Sequence, residues 1–246
     1  MVGSGRGTYP MPLTGDNSWR YWSDRERADA EYASWNGDAA PVLGTHFHDE
    51  GQLTLVIRGS RAFRMKSGIV HVRQGQCLYI PAGWPHRGLP HFDRDTRCIN
   101  TYVSLPSGRH APVLFSVPEI TAFSRGTSAS LLARAVRCLP PSAGDELMGG
   151  YLPRIDPRDD ACVGEIASRY GLSRETFTRS FSRGVGMPPH AFRIVSRLNL
   201  ARRQIRAGET LAAVAVEQGF ADQSHLGRHF RRVFGVTPET YREAMR

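Results

Sequence analysis

The chain has 246 residues, enough for two domains of ordinary size, and its 40% hydrophobic content excludes a chain that is disordered throughout. Its formal net charge of +9 favours a polyanionic partner such as nucleic acid. We expect no secretory signal and no membrane span, because no run of about 18 apolar residues occurs. The four cysteines (Cys77, Cys98, Cys138, Cys162) form no C-x-x-C pair and are typical of reduced thiols, which predicts a cytoplasmic protein.

The N-terminal part of the sequence predicts a β domain. Residues 1–18 are rich in Gly, Pro, Ser and Thr, and we expect them to be disordered. Over residues 19–110, short β-type runs such as Leu53–Ile57, Ile69–Val72 and Cys77–Ile80 alternate with glycines and prolines. This pattern predicts an antiparallel sandwich or barrel.

A helical region and a linker are predicted over residues 111–148. Helical signals begin around Val113, and Ser130–Leu139 has good helix formers with apolar residues at helical spacing. The following segment, from Pro140 to Gly144, ends the helix.

The region 155–246 contains an internal repeat, offset by 48 residues before a turn and by 49 after it. The equivalent pairs are Ala167 and Ala215, Gly171 and Gly219, Ser173 and Asp222, Phe177 and Leu226, and Phe181 and Phe230. The glycines suit helix ends, and the Ser and Asp suit N-caps. The apolar pairs are spaced i, i+4 and form one stripe on each second helix. The repeat therefore predicts two helix-turn-helix units, joined by a helix from about Pro189 to Ala207.

The face opposite each apolar stripe favours DNA binding over the alternative of helix pairs stacked in a solenoid or interaction module. Its side chains are polar, amide or guanidinium groups that suit base edges and phosphates. The residues on this face are Glu175, Thr178, Arg179 and Ser182 in the first unit, and Gln223, Ser224, Gly227, Arg228 and Arg231 in the second.

Residues 215–242, together with the upstream copy, resemble the signature of the AraC/XylS family of bacterial transcriptional regulators. The resemblance implies that the second helix of each unit enters the major groove of double-stranded DNA. The residues that it implies at the base edges are Glu175, Thr178, Arg179, Gln223, Ser224 and Arg228. It also implies a homodimer paired around Leu131–Leu139, a small-molecule effector and contacts to RNA polymerase. Arg202 and Arg203, on the joining helix, are expected to be phosphate-binding or structural residues.

A second constellation lies in the barrel. His46 and His48 alternate on a predicted strand and therefore face the same side, and His86 follows on a returning strand. Three neutral imidazoles and the oxygen of Gln52 make a site for one divalent metal, Zn, Ni, Fe or Cu. The pattern resembles the two motifs of cupins, although Gln52 stands where a metal-binding cupin has Glu. The alternative is that these residues fill the pocket and contact an organic effector.

These features predict an α+β protein in which a cupin-like β-barrel is followed by an all-α domain with two helix-turn-helix units. The predicted function is sequence-specific transcriptional regulation under the control of an effector in the barrel. The alternative is a metal-dependent cupin enzyme with an accessory helical domain. The enzyme reading is disfavoured because no acid is clearly placed as a substrate base, and it leaves the repeat without a role.

Overall fold

The computed structural model describes residues 17–24, 27–90, 95–105, 110–118, 128–141 and 155–246. In these residues, nine strands are followed by seven helices. The strands are β1 (Ser18–Asp24), β2 (Arg27–Gly37), β3 (Gly51–Arg58), β4 (Ser60–Met65), β5 (Gly68–Arg73), β6 (Gln76–Ile80), β7 (His86–Leu89), β8 (Thr96–Val103) and β9 (Val113–Ser116). The helices are α1 (Ser128–Cys138), α2 (Val163–Arg169), α3 (Arg174–Val185), α4 (Pro189–Arg206), α5 (Leu211–Glu217), α6 (Gln223–Phe234) and α7 (Pro238–Ala244).

The strands form two antiparallel sheets. One has the order β1-β2-β8-β3-β6-β9 and the other β5-β4-β7. Apolar side chains from both sheets share one buried cluster, which includes Val56, Phe63 and Leu78. The predicted fold class, a cupin-like β domain followed by a helical domain with two helix-turn-helix units, is confirmed.

One predicted element is wrong. The helical signals assigned from Val113 onward belong instead to strand β9, in which Val113 pairs with Tyr79 of β6. Val113, Leu114 and Phe115 make an apolar run too short to distinguish a strand from a helix. Pairing with β6 decides the outcome, since it satisfies the backbone groups of this segment.

Of the predicted helical region 111–148, residues 111–118 and 128–141 are described; of the predicted disordered segment 1–18, Asn17 and Ser18 are described, and Ser18 begins β1. Helix α1 packs Leu132 and Ala135 into a cluster with Tyr32 on one face of the six-stranded sheet. The most buried apolar residues of this helix thus contact its own chain, and Val136 is exposed.

The helical domain has the predicted repeat. Helices α2 and α3 form the first helix-turn-helix unit, α5 and α6 form the second, and α4 joins them. The turns pass through Gly171 at φ 66° and Gly219 at φ 68°, a left-handed conformation that glycine adopts without steric cost. The N-caps are Ser173 and Asp222, whose side chains accept hydrogen bonds from the third residue of α3 and α6 respectively.

The two domains share a core. The cluster that fills the barrel continues without a break into residues of α4, α6 and α7. The ring of Phe47 stacks on Phe192 of α4 at 4.9 Å, and Tyr21 of β1 donates a hydrogen bond to the carbonyl of Phe234 at the end of α6. The helical domain therefore docks on the barrel through apolar burial as well as polar contacts. In the part of the chain that is described, no helix is long and apolar enough to cross a membrane.

Candidate DNA-recognition helices and a histidine site in the barrel

Helices α3 and α6 each bury one face and expose the other. Phe177 and Phe181 of α3, and Leu226 and Phe230 of α6, are at most 1% exposed and anchor their helices to the domain core. These four residues are the predicted apolar stripes. Their burial fixes which face of each helix remains available to a partner.

The predicted base-contacting residues lie on the available faces. Five of the six are exposed and Thr178 is half-buried. They occupy the N-terminal halves of α3 and α6, which is where a recognition helix contacts base edges. The exposed residues are Glu175, Arg179, Gln223, Ser224 and Arg228.

Helix α4 sets the separation of the two units. Its 18 residues span about 27 Å at the rise of an α-helix. It is rigid because Val195, Leu198 and Ala201 are buried along its length. A spacer of this length suits two helices that enter major-groove segments one turn of DNA apart, about 34 Å. The region 151–246 also carries 16 arginines against 10 acidic residues, a charge that suits phosphate contacts.

The structure brings together the three histidines singled out in the barrel. The ring centroids of His46 and His86 are 4.4 Å apart, and those of His46 and His48 are 4.9 Å apart. One ligating nitrogen from each histidine lies within 4.8 Å of the others. The predicted strand over His46 and His48 is reduced to a single bridge between His46 and His86, so chain pairing at one point positions two of the three rings.

Hydrogen bonds fix the rings of His46 and His86. His46 Nδ1 lies 2.7 Å from the carbonyl of Gly44, and His86 Nδ1 lies 3.0 Å from the carbonyl of Trp84. Because a carbonyl only accepts, both Nδ1 atoms carry the proton. Each Nε2 therefore presents a lone pair, the form in which histidine binds a metal.

Three buried polar atoms around this site have no hydrogen-bond partner within the described part of the chain. They are His48 Nε2, His86 Nε2 and Gln52 Oε1. The amide nitrogen of Gln52 donates to Thr54 at 2.7 Å, so its carbonyl oxygen is the free end of the side chain. Unsatisfied buried groups are costly, and three at one place indicate a site that takes a ligand.

Burial keeps the histidines neutral. It lowers the pKa of His46 to about 4, and the pKa values of His48 and His86 fall well below the usual range for the same reason. The pKa of each of these two is lowered further by the neighbouring His46, whereas the Gln52 side chain raises the pKa of His48. Neutral imidazole is the form that coordinates a cation or accepts a hydrogen bond from an organic ligand.

A buried ion pair beside this site was not anticipated from the sequence. Arg202 of α4 lies 2.5 Å from Glu31 of β2, and their side chains are 4% and 1% exposed. Tyr241 of α7 also donates a hydrogen bond to Glu31, at 2.6 Å. Of the two roles expected for Arg202, phosphate-binding or structural, the structure supports the structural one. The sequence around Glu31 does not indicate a buried ion pair, because its neighbours in β2, Ala30 and Tyr32, are apolar.

The pair connects to the histidines through the six-stranded sheet. Glu31 of β2, Tyr102 of β8 and Gln52 of β3 are directly paired in register, so their side chains share one face. The Arg202 guanidinium lies 4.5 Å from the centre of the Tyr102 ring, and its Nη1 lies 3.3 Å from His48 Nδ1. One arginine of the helical domain thus contacts both the sheet and the histidine site.

Comparison with known proteins identifies both domains. Residues 166–244 match a family model described as a helix-turn-helix domain, and residues 30–109 match an AraC-like ligand-binding domain. The chain thus combines an N-terminal AraC-like ligand-binding domain of cupin-like fold with a C-terminal helix-turn-helix domain.

The curated relatives are transcriptional regulators. A putative AraC-like transcription regulator of Streptomyces antibioticus is 37% identical over 89 residues, which are 36% of this chain and 29% of that protein. A regulator of Mycobacterium tuberculosis, Rv1931c, is 37% identical over 83 residues, which are 33% of this chain and 32% of that protein. The chain therefore spans about a third of the length of these relatives. The activator RclR of Escherichia coli is 27% identical over a longer match, 83% of this chain and 91% of that protein.

Solved structures of ToxT from Vibrio cholerae have a similar fold over both domains. One covers 88% of this chain and 98% of ToxT with a TM-score of 0.54 and 10% identity. A second, described as bound to an unsaturated fatty acid, covers 93% of this chain and 96% of ToxT with a TM-score of 0.51 and 11% identity. At this identity the likeness concerns the fold.

Proposed function

We propose that the chain regulates transcription by binding specific DNA sequences under the control of an effector held in the barrel. The observation that carries the proposal is the pair of equivalent, exposed polar faces on α3 and α6, held apart by one rigid helix. A solenoid or accessory domain has no need for two such faces of matching composition. The regulator names of the relatives support the same function.

Arg179 and Arg228 are the proposed main readers of base sequence. They occupy equivalent positions in the repeat, two residues beyond the first apolar anchor of each helix. A guanidinium group at a base edge can donate two parallel hydrogen bonds to guanine. Glu175 and Thr178 in one helix, and Gln223 and Ser224 in the other, offer different donors and acceptors, so the two helices read different bases.

The further partners follow from this role. A regulator that changes transcription acts on RNA polymerase, and we propose direct contacts to it. We propose a homodimer that pairs through the side of α1 turned away from its own sheet, where Val136 is exposed. Its DNA and polymerase partners place the protein in the cytoplasm. We propose no enzymatic activity, because Gln52 replaces the carboxylate that a metal-binding cupin carries and the sequence has no acid clearly placed as a substrate base.

The barrel histidines are the proposed effector site. Their donor set, three imidazole nitrogens with one amide oxygen, fits one divalent metal ion, Zn, Ni, Fe or Cu. The same lone pairs also fit N–H or O–H groups of an organic effector, and a fatty acid is the ligand named for one ToxT structure. A metal is the proposal supported by the three unpartnered atoms. Metal analysis of the purified protein, with His46→Asn as the matched variant, separates the two ligand classes.

Selection of bound sequences from a random DNA library tests the DNA-binding proposal. We expect Arg179→Ala to relax preference in one half of the site and Arg228→Ala in the other, by about 5- to 150-fold at the affected base pairs. Arg183→Ala and Arg232→Ala are matched controls, since each removes an exposed arginine one turn further along the same helix. The controls should weaken binding evenly across sequences. An even loss in the Arg179 and Arg228 variants as well would show that they anchor the backbone and do not read bases.

A further inference from the structure

The segment from Gly44 to His48 contacts the histidine site and the helical domain at once. His46 and His48 belong to the site, while the carbonyl of Phe47 between them accepts a hydrogen bond from Asn199 of α4 at 3.0 Å. The amide of Gly44 donates to the carbonyl of Arg232 of α6 at 3.3 Å. The residues that would hold a ligand are therefore also part of the surface on which the helical domain docks.

The contact between Arg202 and His48 determines which ring nitrogen of His48 carries the proton. A guanidinium group has donors only, so His48 Nδ1 accepts the hydrogen bond and carries no proton. The proton of the neutral ring then lies on Nε2.

His48 differs in this respect from its two partners. In His46 and His86 the proton already lies on Nδ1, where a backbone carbonyl accepts it, and Nε2 is free to bind. These two rings can bind a ligand without rearrangement. His48 can offer an Nε2 lone pair only if its proton moves to Nδ1, directly opposite the guanidinium N–H of Arg202.

We propose that Arg202 senses whether the histidine site is occupied. When His48 binds a divalent cation through Nε2, its Nδ1–H opposes an Arg202 N–H, the hydrogen bond is lost, and the docking of the helical domain on the barrel weakens. This inference rests on the proposed metal site. The coupling is reciprocal, so docking also weakens the binding of the cation. The loss of one charge-assisted hydrogen bond corresponds to about a tenfold change in either equilibrium.

The test uses the full chain with Zn²⁺ alone as the probe. Zinc affinity is measured by competition with a chelator, and docking by hydrogen exchange of peptides from β2 and α4. Arg202→Lys keeps a positive charge beside Glu31 but lacks the planar fork that also reaches His48. Arg203→Lys is the matched control, since Arg203 is the next residue of α4 and its side chain is 51% exposed. His48→Asn keeps an acceptor for Arg202 and removes the Nε2 ligand.

In the wild type and in Arg203→Lys, zinc should speed exchange in both peptides about tenfold. Arg202→Lys should bind zinc about tenfold more tightly than the wild type, with no effect of zinc on exchange. His48→Asn should bind zinc more weakly, through His46 and His86, and should stay docked when zinc is bound, which keeps the test valid if Arg202→Lys fails to fold. Zinc binding to the wild type with unchanged exchange would overturn the role of Arg202 and leave the metal site standing. A wild type that does not bind zinc would overturn both.

Discussion

Replacement of Glu31 by Gln tests how strongly the two domains are joined. The Glu31 carboxylate is 1% exposed and accepts hydrogen bonds from Arg202 at 2.5 and 3.1 Å and from Tyr241 at 2.6 Å. Glutamine has nearly the same shape but no charge, so the buried guanidinium loses its counter-ion. Breaking a buried ion pair from one side costs about 3–5 kcal/mol. Glu50 lies 3.6 Å from the same Arg202 and offsets part of this, so we expect a loss of about 3 kcal/mol.

Urea unfolding of the full chain, followed by tryptophan fluorescence and circular dichroism, measures the free energy of unfolding. For a chain of this length, a loss of about 3 kcal/mol lowers Tm by about 6–12 °C. Asp29→Asn is the matched control, because Asp29 lies two residues earlier on β2 and pairs with Arg27 at the surface, where an ion pair contributes about 1 kcal/mol or less. If Glu31→Gln cost no more than Asp29→Asn, the buried pair would not join the domains.

Three further substitutions or conditions give equally direct measurements. Gly235→Ala places a methyl group against the Trp19 ring across the domain interface, whereas Gly186→Ala, at the equivalent left-handed C-cap of α3, meets only Lys66 at 3.4 Å and Pro85 at 4.0 Å. The first should therefore be less stable in urea than the second by about 1–3 kcal/mol, and equal losses would mean that strain at the cap is the whole effect. Asp222→Ala removes the N-cap of α6 and should lower the free energy of unfolding by about 1 kcal/mol, with reduced helix content; no change would exclude a stabilising role of this cap. Metal-free protein should lose stability as pH falls from about 6.5 towards 4, because His46 has a pKa of about 6.5 in the unfolded chain and about 4 in the folded protein, so the unfolded chain takes up the proton at a higher pH. The loss of free energy of unfolding from this residue is about 2 kcal/mol at pH 5. His46→Asn should flatten the dependence of stability on pH.

The helix-turn-helix repeat could be predicted in detail because its signals are local. The glycine that ends α2, the serine that caps α3 and the i, i+4 spacing of Phe177 and Phe181 act within one or two helical turns. The same local features recur 48 or 49 residues later in the chain. Because the two copies agree, each supports the prediction of a helix-turn-helix unit for the other. Strands β3, β5 and β6 were predicted for a similar reason, since glycine turns bound each one.

The sequence by itself therefore determined the two domains, the exposed faces of α3 and α6, and the residue types that could form a site in the barrel. Only the tertiary structure assigned Val113 to a strand, because a short apolar run takes the conformation of the neighbour with which it pairs. Only the tertiary structure joined Glu31 to Arg202, which lie 171 residues apart in the chain. The local sequence around a charged residue does not show whether its side chain is exposed to water or buried in the protein core. Whether it is buried and paired depends on which surfaces the folded domains bring together, and here that contact links the histidine site to the helical domain.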